Sequence, residues 1–185
     1  MGDGDEATIA TAIDAIGAAG DCDLLSLSFG GYALERMYVL EAALRRVQSA
    51  GTVVVASAGN DSTCSPTYPA ALPGVIGVGA LGPSGPAPFT NYGRWVRACA
   101  PGVDLVAPFF DHFNGVTTPA GDTDPDDFRG WARWSGTSFA APVVVAALAR
   151  EMRLSGVDAK QAVARVIDAP GLLRIPDLGT VVNLQ

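Results

Sequence analysis

The chain has 185 residues, a length that fits one compact domain. Apolar residues make up 49% of it and charged residues 17%, which excludes an intrinsically disordered protein. Nineteen acidic and twelve basic side chains leave a net charge of −7, without a basic run that could neutralise phosphate groups. We therefore expect neither a nucleic-acid nor a membrane partner.

The first half of the chain alternates between helix and strand patterns. Apolar spacings of three and four predict helices over residues 7–19 and 34–50, and short apolar runs predict strands at residues 24–29, 53–56 and 75–78. Strand, helix and strand in this order form a right-handed unit with a parallel sheet. Ligands bind outside the carboxyl ends of parallel strands, so a functional site is expected where these strands end.

Residues 82–130 are irregular and rich in proline, with a predicted strand pair within residues 95–106. Four aspartates make part of this segment acidic, and they are Asp122, Asp124, Asp126 and Asp127. They lack the glycine and glutamate spacing of a known calcium loop, so a solvated acidic loop is favoured over a calcium site. We expect no cofactor.

The last third of the chain is predicted to be mostly helical. Residues 137–154 are apolar on every side, which predicts a helix buried in the domain centre, with Pro142 in its first turn. An amphipathic helix at residues 158–167 precedes an expected edge strand at residues 181–182. The fold class is therefore α/β, with helices on both faces of a mainly parallel sheet.

Residues 136–142 read Gly-Thr-Ser-Phe-Ala-Ala-Pro and place Ser138 at the start of the buried helix. The free N–H groups and the positive dipole end of a helix favour negative charge that develops there. A serine at such a position is usually only a helix cap. The whole heptapeptide, however, resembles the nucleophile motif of the subtilisin-like serine peptidases, the subtilases.

Other segments agree with this resemblance in order and spacing. They are Leu-Ser-Leu-Ser-Phe-Gly-Gly at residues 25–31, Val-Val-Val-Ala-Ser-Ala-Gly-Asn at residues 53–60, Tyr-Pro-Ala at residues 68–70, and residues 75–80, 89–93, 100–103 and 178–183. The resemblance covers nearly the whole chain. It implies a subtilisin-like, three-layer αβα fold.

The resemblance also implies roles for individual residues of an endopeptidase. Ser138 would be the acylating nucleophile, and Asn60 would donate its side-chain amide to the oxyanion, with the backbone N–H of Ser138 as the second donor. The residues implied for binding a peptide substrate are Ser28, Phe29, Gly30, Ala58 and Gly59. No metal ligand is implied.

A serine peptidase of this family also needs an aspartate and a histidine, since a serine hydroxyl is unreactive without a base. The chain has no Asp-[Ser/Thr]-Gly motif near its start and no His-Gly motif, and its single histidine, His112, is expected to be an exposed loop residue. We therefore expect residues 1–185 to be the C-terminal portion of one subtilase catalytic domain, truncated on its N-terminal side and inactive alone.

Two other functional classes stay open from the sequence. The chain is alternatively a non-catalytic pseudo-peptidase, or a peptide-binding or assembly module, whose open edge at residues 24–29 would accept the missing N-terminal half or a second copy. A dinucleotide pattern formed by Gly77, Gly79 and Gly82 follows a strand, but the next residues do not predict the helix that this pattern needs.

Cysteine content and the first residues bear on location. The sequence permits a disulfide between Cys64 and Cys99 if the protein is exported, which would leave Cys22 unpaired. The family resemblance favours an extracellular or cell-envelope location. The acidic first residues of this chain do not form a signal peptide.

Overall fold

The computed structural model describes residues 5–33, 37–114, 125–127 and 129–184. The helices are α1 (Glu6–Ala19), α2 (Tyr38–Ser49), α3 (Thr137–Ser155) and α4 (Ala159–Val166). The strands are β1 (Leu24–Leu27), β2 (Val53–Ser57), β3 (Ile76–Gly82), β4 (Gly85–Pro86), β5 (Val96–Pro101), β6 (Leu105–Pro108), β7 (His112–Asn114), β8 (Pro125–Asp127), β9 (Trp131–Trp134), β10 (Arg174–Ile175) and β11 (Gly179–Val181).

One sheet organises the fold, with the strand order β1-β2-β3-β5-β11-β10 and β4 attached to β3. In this sheet the neighbouring strands β1, β2, β3, β5 and β11 are all parallel. Strand β4 is antiparallel to β3, and β10 is antiparallel to β11. The parallel register aligns the carboxyl ends of β1 and β2, because Leu27 lies opposite Ala56. The chain segments that follow these two strands therefore leave the sheet side by side.

Helices cover both faces of the sheet, which confirms the three-layer αβα prediction. Strand β2 shows why: Val53 and Val55 belong to the core with α3 and α4, whereas Val54 and Ala56 belong to the core with α1 and α2. Successive side chains of a strand point to opposite faces, so a run of apolar residues is buried on both. All five residues of β2 are buried.

Helices α1 and α2, which cover the same face of the sheet, are joined by a hydrogen bond near their N-termini. Asp5 caps α1 by accepting a hydrogen bond from the backbone of Thr8, and Gly20 closes the helix in a left-handed conformation. Helix α2 begins without a side-chain cap of its own; the carboxylate of Glu6 accepts a hydrogen bond from the backbone N–H of Leu40 at 2.9 Å. This contact satisfies one of the free N–H groups of α2.

Two predictions about strand pairing are wrong. Strands β5 and β6 lie within or next to residues 95–106 but do not pair with each other, because β5 joins the main sheet and β6 pairs with β9. The strand expected at an edge near residues 181–182 is β11, which lies between β5 and β10. Partner choice depends on long-range packing, which local residue patterns do not encode.

Helix α3 differs from its prediction in two respects. It is not buried on every side, since Ala140, Ala141, Val144 and Leu148 face the core while Pro142 lies on an exposed side. Pro142 is the sixth residue of the helix and so falls in its second turn, not in its first. A proline there removes one hydrogen bond of the helix.

The dinucleotide pattern has a packing explanation. Gly77 and Gly79 lie inside β3 and Gly82 ends it, so the strand-to-helix turn that binds a pyrophosphate is not present there. A Cβ atom at Gly77 would lie 3.0 Å from the carbonyl oxygen of Trp95, and one at Gly79 would lie 2.6 Å from the Leu178 side chain. These glycines allow neighbouring chain segments to approach β3 closely.

No helix in the described part of the chain is long and apolar enough to cross a membrane.

The disulfide between Cys64 and Cys99 that the sequence permits is not formed. Cys22, Cys64 and Cys99 are all free thiols, and Cys64 is exposed whereas Cys99 is fully buried in β5. The side chain of Cys99 points into the core formed with Ala58, Val96 and Leu178, so it faces away from solvent. Burial raises the pKa of the Cys99 thiol to about 12, which keeps it protonated and unreactive at neutral pH.

This difference predicts selective alkylation of the native protein. Iodoacetamide at pH 8 should modify Cys64 rapidly and leave Cys99 unmodified, because the thiolate is the nucleophile and Cys99 is both buried and neutral. Peptide mapping by mass spectrometry measures both sites, and alkylation in denaturant provides the fully modified control. A Cys64–Cys99 bridge in the purified protein would contradict the prediction.

Candidate active site

The predicted site residues meet at the carboxyl edge of the sheet. Ser28, Phe29 and Gly30 follow β1, Asn60 follows β2 three residues after its end, and Ser138 is the second residue of α3. A reciprocal pair of contacts joins the first and last of these segments. The Ser28 Oγ donates to the Ser138 carbonyl oxygen at 2.9 Å, and the Ser138 Oγ lies 3.4 Å from the Ser28 carbonyl oxygen.

Thr137 connects the loop after β2 with the start of α3. Its backbone N–H and its hydroxyl both donate to the Asn60 Oδ1, at 2.9 and 3.0 Å. The same hydroxyl accepts a hydrogen bond from the backbone N–H of Gly59 at 3.0 Å. Thr137 is fully buried, so these bonds form away from competing water.

These bonds determine how the Asn60 side chain is oriented. A backbone N–H can only donate, so the oxygen of the carboxamide must face Thr137 and the Nδ2 must face the opposite way. The Nδ2 has no hydrogen-bond acceptor among the described residues, and Asn60 itself is exposed. Asn60 therefore presents two open N–H bonds beside the start of α3.

A second open donor lies in the first turn of α3. The N–H of Gly136 donates to Gly102, that of Thr137 donates to Asn60, and that of Phe139 donates to Gly136. The N–H of Ser138 has no partner within the described part of the chain. One unpaired donor on Ser138 itself and one on a side chain bonded to the preceding residue, at the positive end of a helix, are suited to stabilise an oxyanion.

The position of Pro142 explains why the Ser138 carbonyl is available to Ser28. In an α-helix this carbonyl would accept a hydrogen bond from the N–H of the residue four positions later, which is Pro142 and has no N–H. The hydroxyl of Ser28 supplies the missing bond. The chain segment after β1 is thus linked to the same turn of the helix that carries Ser138.

Close packing at Gly102 sets the height of α3 above the sheet. A Cβ atom at this position would lie 2.8 Å from the Ala80 Cβ and 3.2 Å from the Ala140 Cβ. The Gly102 carbonyl accepts the N–H of Gly136, the residue that precedes α3. Any larger residue at Gly102 would move the start of α3 away from the loop that carries Asn60.

The segment after β1 has free backbone groups that suit an extended peptide. Gly31 forms an antiparallel bridge with Tyr68, but the backbone groups of Phe29 and Gly30 form no hydrogen bond with any described residue. Both residues are exposed. Ala58, by contrast, is fully buried, and its carbonyl oxygen accepts hydrogen bonds from two side chains, Thr67 and Asn91. It therefore supports the loop rather than offering a polar backbone group to a ligand.

Other candidates from the sequence lie elsewhere. The backbone of His112 pairs with Asp127 in the two-stranded sheet of β7 and β8, and its side chain is outside the described residues. Asp122 and Asp124 are also outside the described residues, as are the side chains of Asp126 and Asp127. No cluster of three or more potential metal ligands occurs in the parts of the chain that are described.

A cavity of about 300 Å³ lies at the opposite, amino edge of the sheet, beside Gln48 and Lys160.

Comparison with known proteins identifies the family. The sequence profile of the Subtilase family matches residues 1–167. The chain belongs to the subtilase family. A thermophilic serine proteinase from Bacillus sp. (strain AK1) is 34% identical over 166 residues, which are 87% of this chain and 37% of that protein. An extracellular protease of Xanthomonas campestris pv. campestris is 31% identical over 133 residues, 71% of this chain and 21% of that protein.

Solved structures show the same fold. A lanthipeptide protease superposes with a TM-score of 0.76 at 21% identity, covering 97% of this subtilase chain and 64% of the other chain. The chain spans well under half of the length of the two curated relatives. The family and the fold predicted from residues 25–31, 53–60 and 136–142 are thereby confirmed.

Sequence reasoning missed three contributors to the site of this subtilase. They are Thr137 and Asn91, for which the sequence predicts no role, and Pro142, which lies in the second turn of α3 and not in the first. Pro142 carried a usable signal, because counting four residues back from it identifies the Ser138 carbonyl as the one without a helical partner. The partners of Thr137 and Asn91 are more than 25 residues away in the chain and left no such signal.

The link between Ser28 and Pro142 predicts a coupled effect on stability. Ser28→Ala should lower the free energy of unfolding by about 0.5–1 kcal/mol, because the Ser138 carbonyl loses its donor. In a Pro142→Ala background the restored N–H at position 142 bonds that carbonyl, so Ser28→Ala should then cost nearly nothing. Urea unfolding of the unaltered chain, the two single variants and the double variant measures this cycle.

The matched control for this cycle is Ser26→Ala. Ser26 is an exposed serine of β1 whose hydroxyl forms no hydrogen bond with the described residues. Its removal should leave the free energy of unfolding unchanged in both backgrounds. An equal cost of Ser28→Ala with and without Pro142 would contradict the coupling.

Proposed function

We propose that residues 1–185 form a portion of a single subtilase catalytic domain and carry its nucleophile and oxyanion half. Ser138 is the nucleophile of peptide-bond hydrolysis through an acyl-enzyme, and the Asn60 Nδ2 and the Ser138 N–H stabilise the oxyanion. The observation that carries this proposal is the pair of unpaired N–H donors, on Ser138 and on the Asn60 side chain, at the N-terminus of α3.

A polypeptide is the proposed substrate. An extended peptide would pair with the free backbone groups of Phe29 and Gly30, next to the hydroxyl of Ser28. Gly59, whose N–H donates to the Thr137 hydroxyl, is proposed to border the first specificity pocket, whereas the fully buried Ala58 only supports this loop. No cofactor takes part in this chemistry, since positioned donors and a base suffice for acyl transfer.

The isolated chain is proposed to be nearly inactive. Its sequence contains no Asp-[Ser/Thr]-Gly or His-Gly motif, and the Ser138 Oγ lies near a carbonyl oxygen, which cannot act as a useful base. Loss of the histidine alone costs about as much rate as loss of the whole triad. Turnover would then require a histidine base and the aspartate that orients it, supplied from outside residues 1–185. The extracellular location named for the Xanthomonas relative is proposed for this protein also.

A second candidate is a non-catalytic peptide-binding or assembly module. It is favoured by the open edge of β1, which pairs with β2 on one side and with no other described strand on the other. Such an edge would accept a strand from a second copy or from a partner polypeptide. This candidate would bind a polypeptide along β1, the strand that precedes Phe29 and Gly30, and it differs from the first in giving Ser138 no reactivity.

Reactivity of Ser138 towards a fluorophosphonate probe separates the two candidates. The Ser138 Oγ attacks phosphorus, the P–F bond breaks, fluoride leaves, and the hydroxyl proton goes to a base. Imidazole at high concentration supplies that base from solution. The purified chain should label very slowly alone and faster in proportion to added imidazole, with mass spectrometry locating the adduct on Ser138.

Asn60→Ala should slow this imidazole-dependent labelling by about 100-fold. Removal of one oxyanion donor costs about 10²- to 10³-fold in rate, a magnitude measured on another member of this family. The control is Gln48→Ala, which removes a carboxamide at the opposite edge of the sheet and should label at the unaltered rate. Ser138→Ala should not label.

Two results would refute these proposals. Rapid stoichiometric labelling without imidazole would show that the isolated chain has its own base. A chain that imidazole does not activate at any concentration would instead favour the non-catalytic module.

A further inference from the structure

Asn91 supports the loop that carries Asn60, and it does so from a fully buried position. Its Oδ1 accepts the backbone N–H groups of Asp61 and Thr63, at 2.9 and 3.2 Å. Its Nδ2 donates to the carbonyl oxygen of Ala58 at 3.0 Å. The carboxamide therefore bonds the backbone of the loop on both sides of Asn60.

The orientation of this carboxamide is determined by its partners. The N–H groups of Asp61 and Thr63 can only donate and the Ala58 carbonyl can only accept, so a flipped amide would lose all three bonds. The backbone N–H of Asn91 adds a fourth bond, to the Gly59 carbonyl at 3.0 Å. One side chain and its own backbone thus hold residues 58, 59, 61 and 63.

Gly59 is adapted to this contact. Its φ of +100° is strained for a residue with a side chain, and a Cβ atom there would collide with the Asn91 carboxamide. The loop can therefore lie against Asn91 only with glycine at this position. Asn60 is the next residue, so the backbone conformation of Gly59 at this contact determines where the Asn60 side chain begins.

Asn91 also reaches the segment that follows β1. Its Nδ2 lies 3.4 Å from the Tyr32 Oη, and the Tyr32 hydroxyl donates to the Asp61 carboxylate at 2.8 Å. Desolvation and the neighbouring carboxylate raise the pKa of Tyr32, so its hydroxyl remains a donor at physiological pH. The two chain segments that flank the proposed peptide site are connected through one carboxamide.

We propose that Asn91 is a positioning residue of the oxyanion site: it holds the backbone on both sides of Asn60 so that the Asn60 Nδ2 is aimed beside Ser138. The proposal rests on the proposed function for its effect on reactivity, and on the hydrogen bonds alone for its effect on the loop. Asn91 does not touch the reacting atoms and acts only through Asn60.

Labelling of the full 185-residue chain by a fluorophosphonate probe with imidazole tests the reactive part. Asn91→Ala should slow labelling about as much as Asn60→Ala, roughly 100-fold. The Asn60→Ala, Asn91→Ala double variant should be no slower than Asn60→Ala alone, because Asn91 has nothing left to position. Multiplied losses in the double variant would overturn the proposal.

Backbone hydrogen exchange tests the loop directly. The amides of Asp61 and Thr63 should exchange much faster in Asn91→Ala than in the unaltered chain, while the amides of β2 and β3 keep their protection. Asn91→Asp keeps an oxygen for both amides and should restore their protection in part. Unchanged exchange of Asp61 and Thr63 in Asn91→Ala would overturn the proposal.

Thr180→Val is the matched control. Thr180 is also fully buried, and its hydroxyl bonds the Ile167 carbonyl at 2.7 Å, on the far side of β5 from the loop. Its loss should lower stability without changing labelling or the exchange of Asp61. If Asn91→Ala does not fold, the same two measurements on Asn91→Asp and Tyr32→Phe decide the outcome: normal labelling and exchange in both would overturn the proposal.

Failure of the proposal and failure of the proposed function give different results. An unchanged labelling rate in Asn60→Ala would refute the oxyanion role of Asn60 and leave hydrogen exchange to decide whether Asn91 holds the loop. A slower rate in Asn60→Ala together with a normal rate in Asn91→Ala would retain the function and overturn the positioning role.

Discussion

The hydrogen bonds between Thr137 and Asn60 are the constraint on which the site depends. They satisfy the first N–H of α3 with a side chain from a different element, and in doing so they orient that side chain. The N–H of Ser138 is the next donor along the helix and stays open. Because the buried Thr137 bonds only the oxygen of the Asn60 carboxamide, the Asn60 Nδ2 stays free. The Ser138 N–H is the second free donor.

This arrangement requires α3 to lie close to the sheet, and small residues make that approach possible. Gly102, Ala80 and Ala140 meet where the helix begins, and a single added methyl group would force them apart. The helix follows the sheet at this height through Ala141 and Val144, which are fully buried. Packing of the apolar residues of α3 sets the distance between Ser138 and the loop after β2. These apolar residues therefore position the polar first turn of the helix.

Much of the fold follows from local sequence patterns. The elements that do not follow from them share one cause. Helices α1 and α2 are predictable because their apolar residues recur at spacings of three and four, and strands β1 and β2 are predictable because they are short apolar runs. The pairing of β6 with β9 and the interior place of β11 are not, because strand partners are chosen by contacts distant in the chain. Ser138 and Asn60 are proposed as site residues on the basis of extended motifs. Thr137 and Asn91 are not identifiable from the sequence, because threonine and asparagine occur equally in helix caps, in turns and in buried hydrogen-bond networks, and the sequence alone does not say which.

The proposed oxyanion donors are positioned without the base, and this separation has a physical basis. The donors are aligned by α3, by the loop after β2 and by Asn91, and all of these lie within the described chain. Electrostatic stabilisation by aligned donors needs no proton acceptor, whereas attack by the hydroxyl does. At rest the Ser138 Oγ lies 3.4 Å from the Ser28 carbonyl, a long and weak hydrogen bond. A base brought beside Ser138 would therefore displace that contact at little cost, and the oxyanion donors would not have to move.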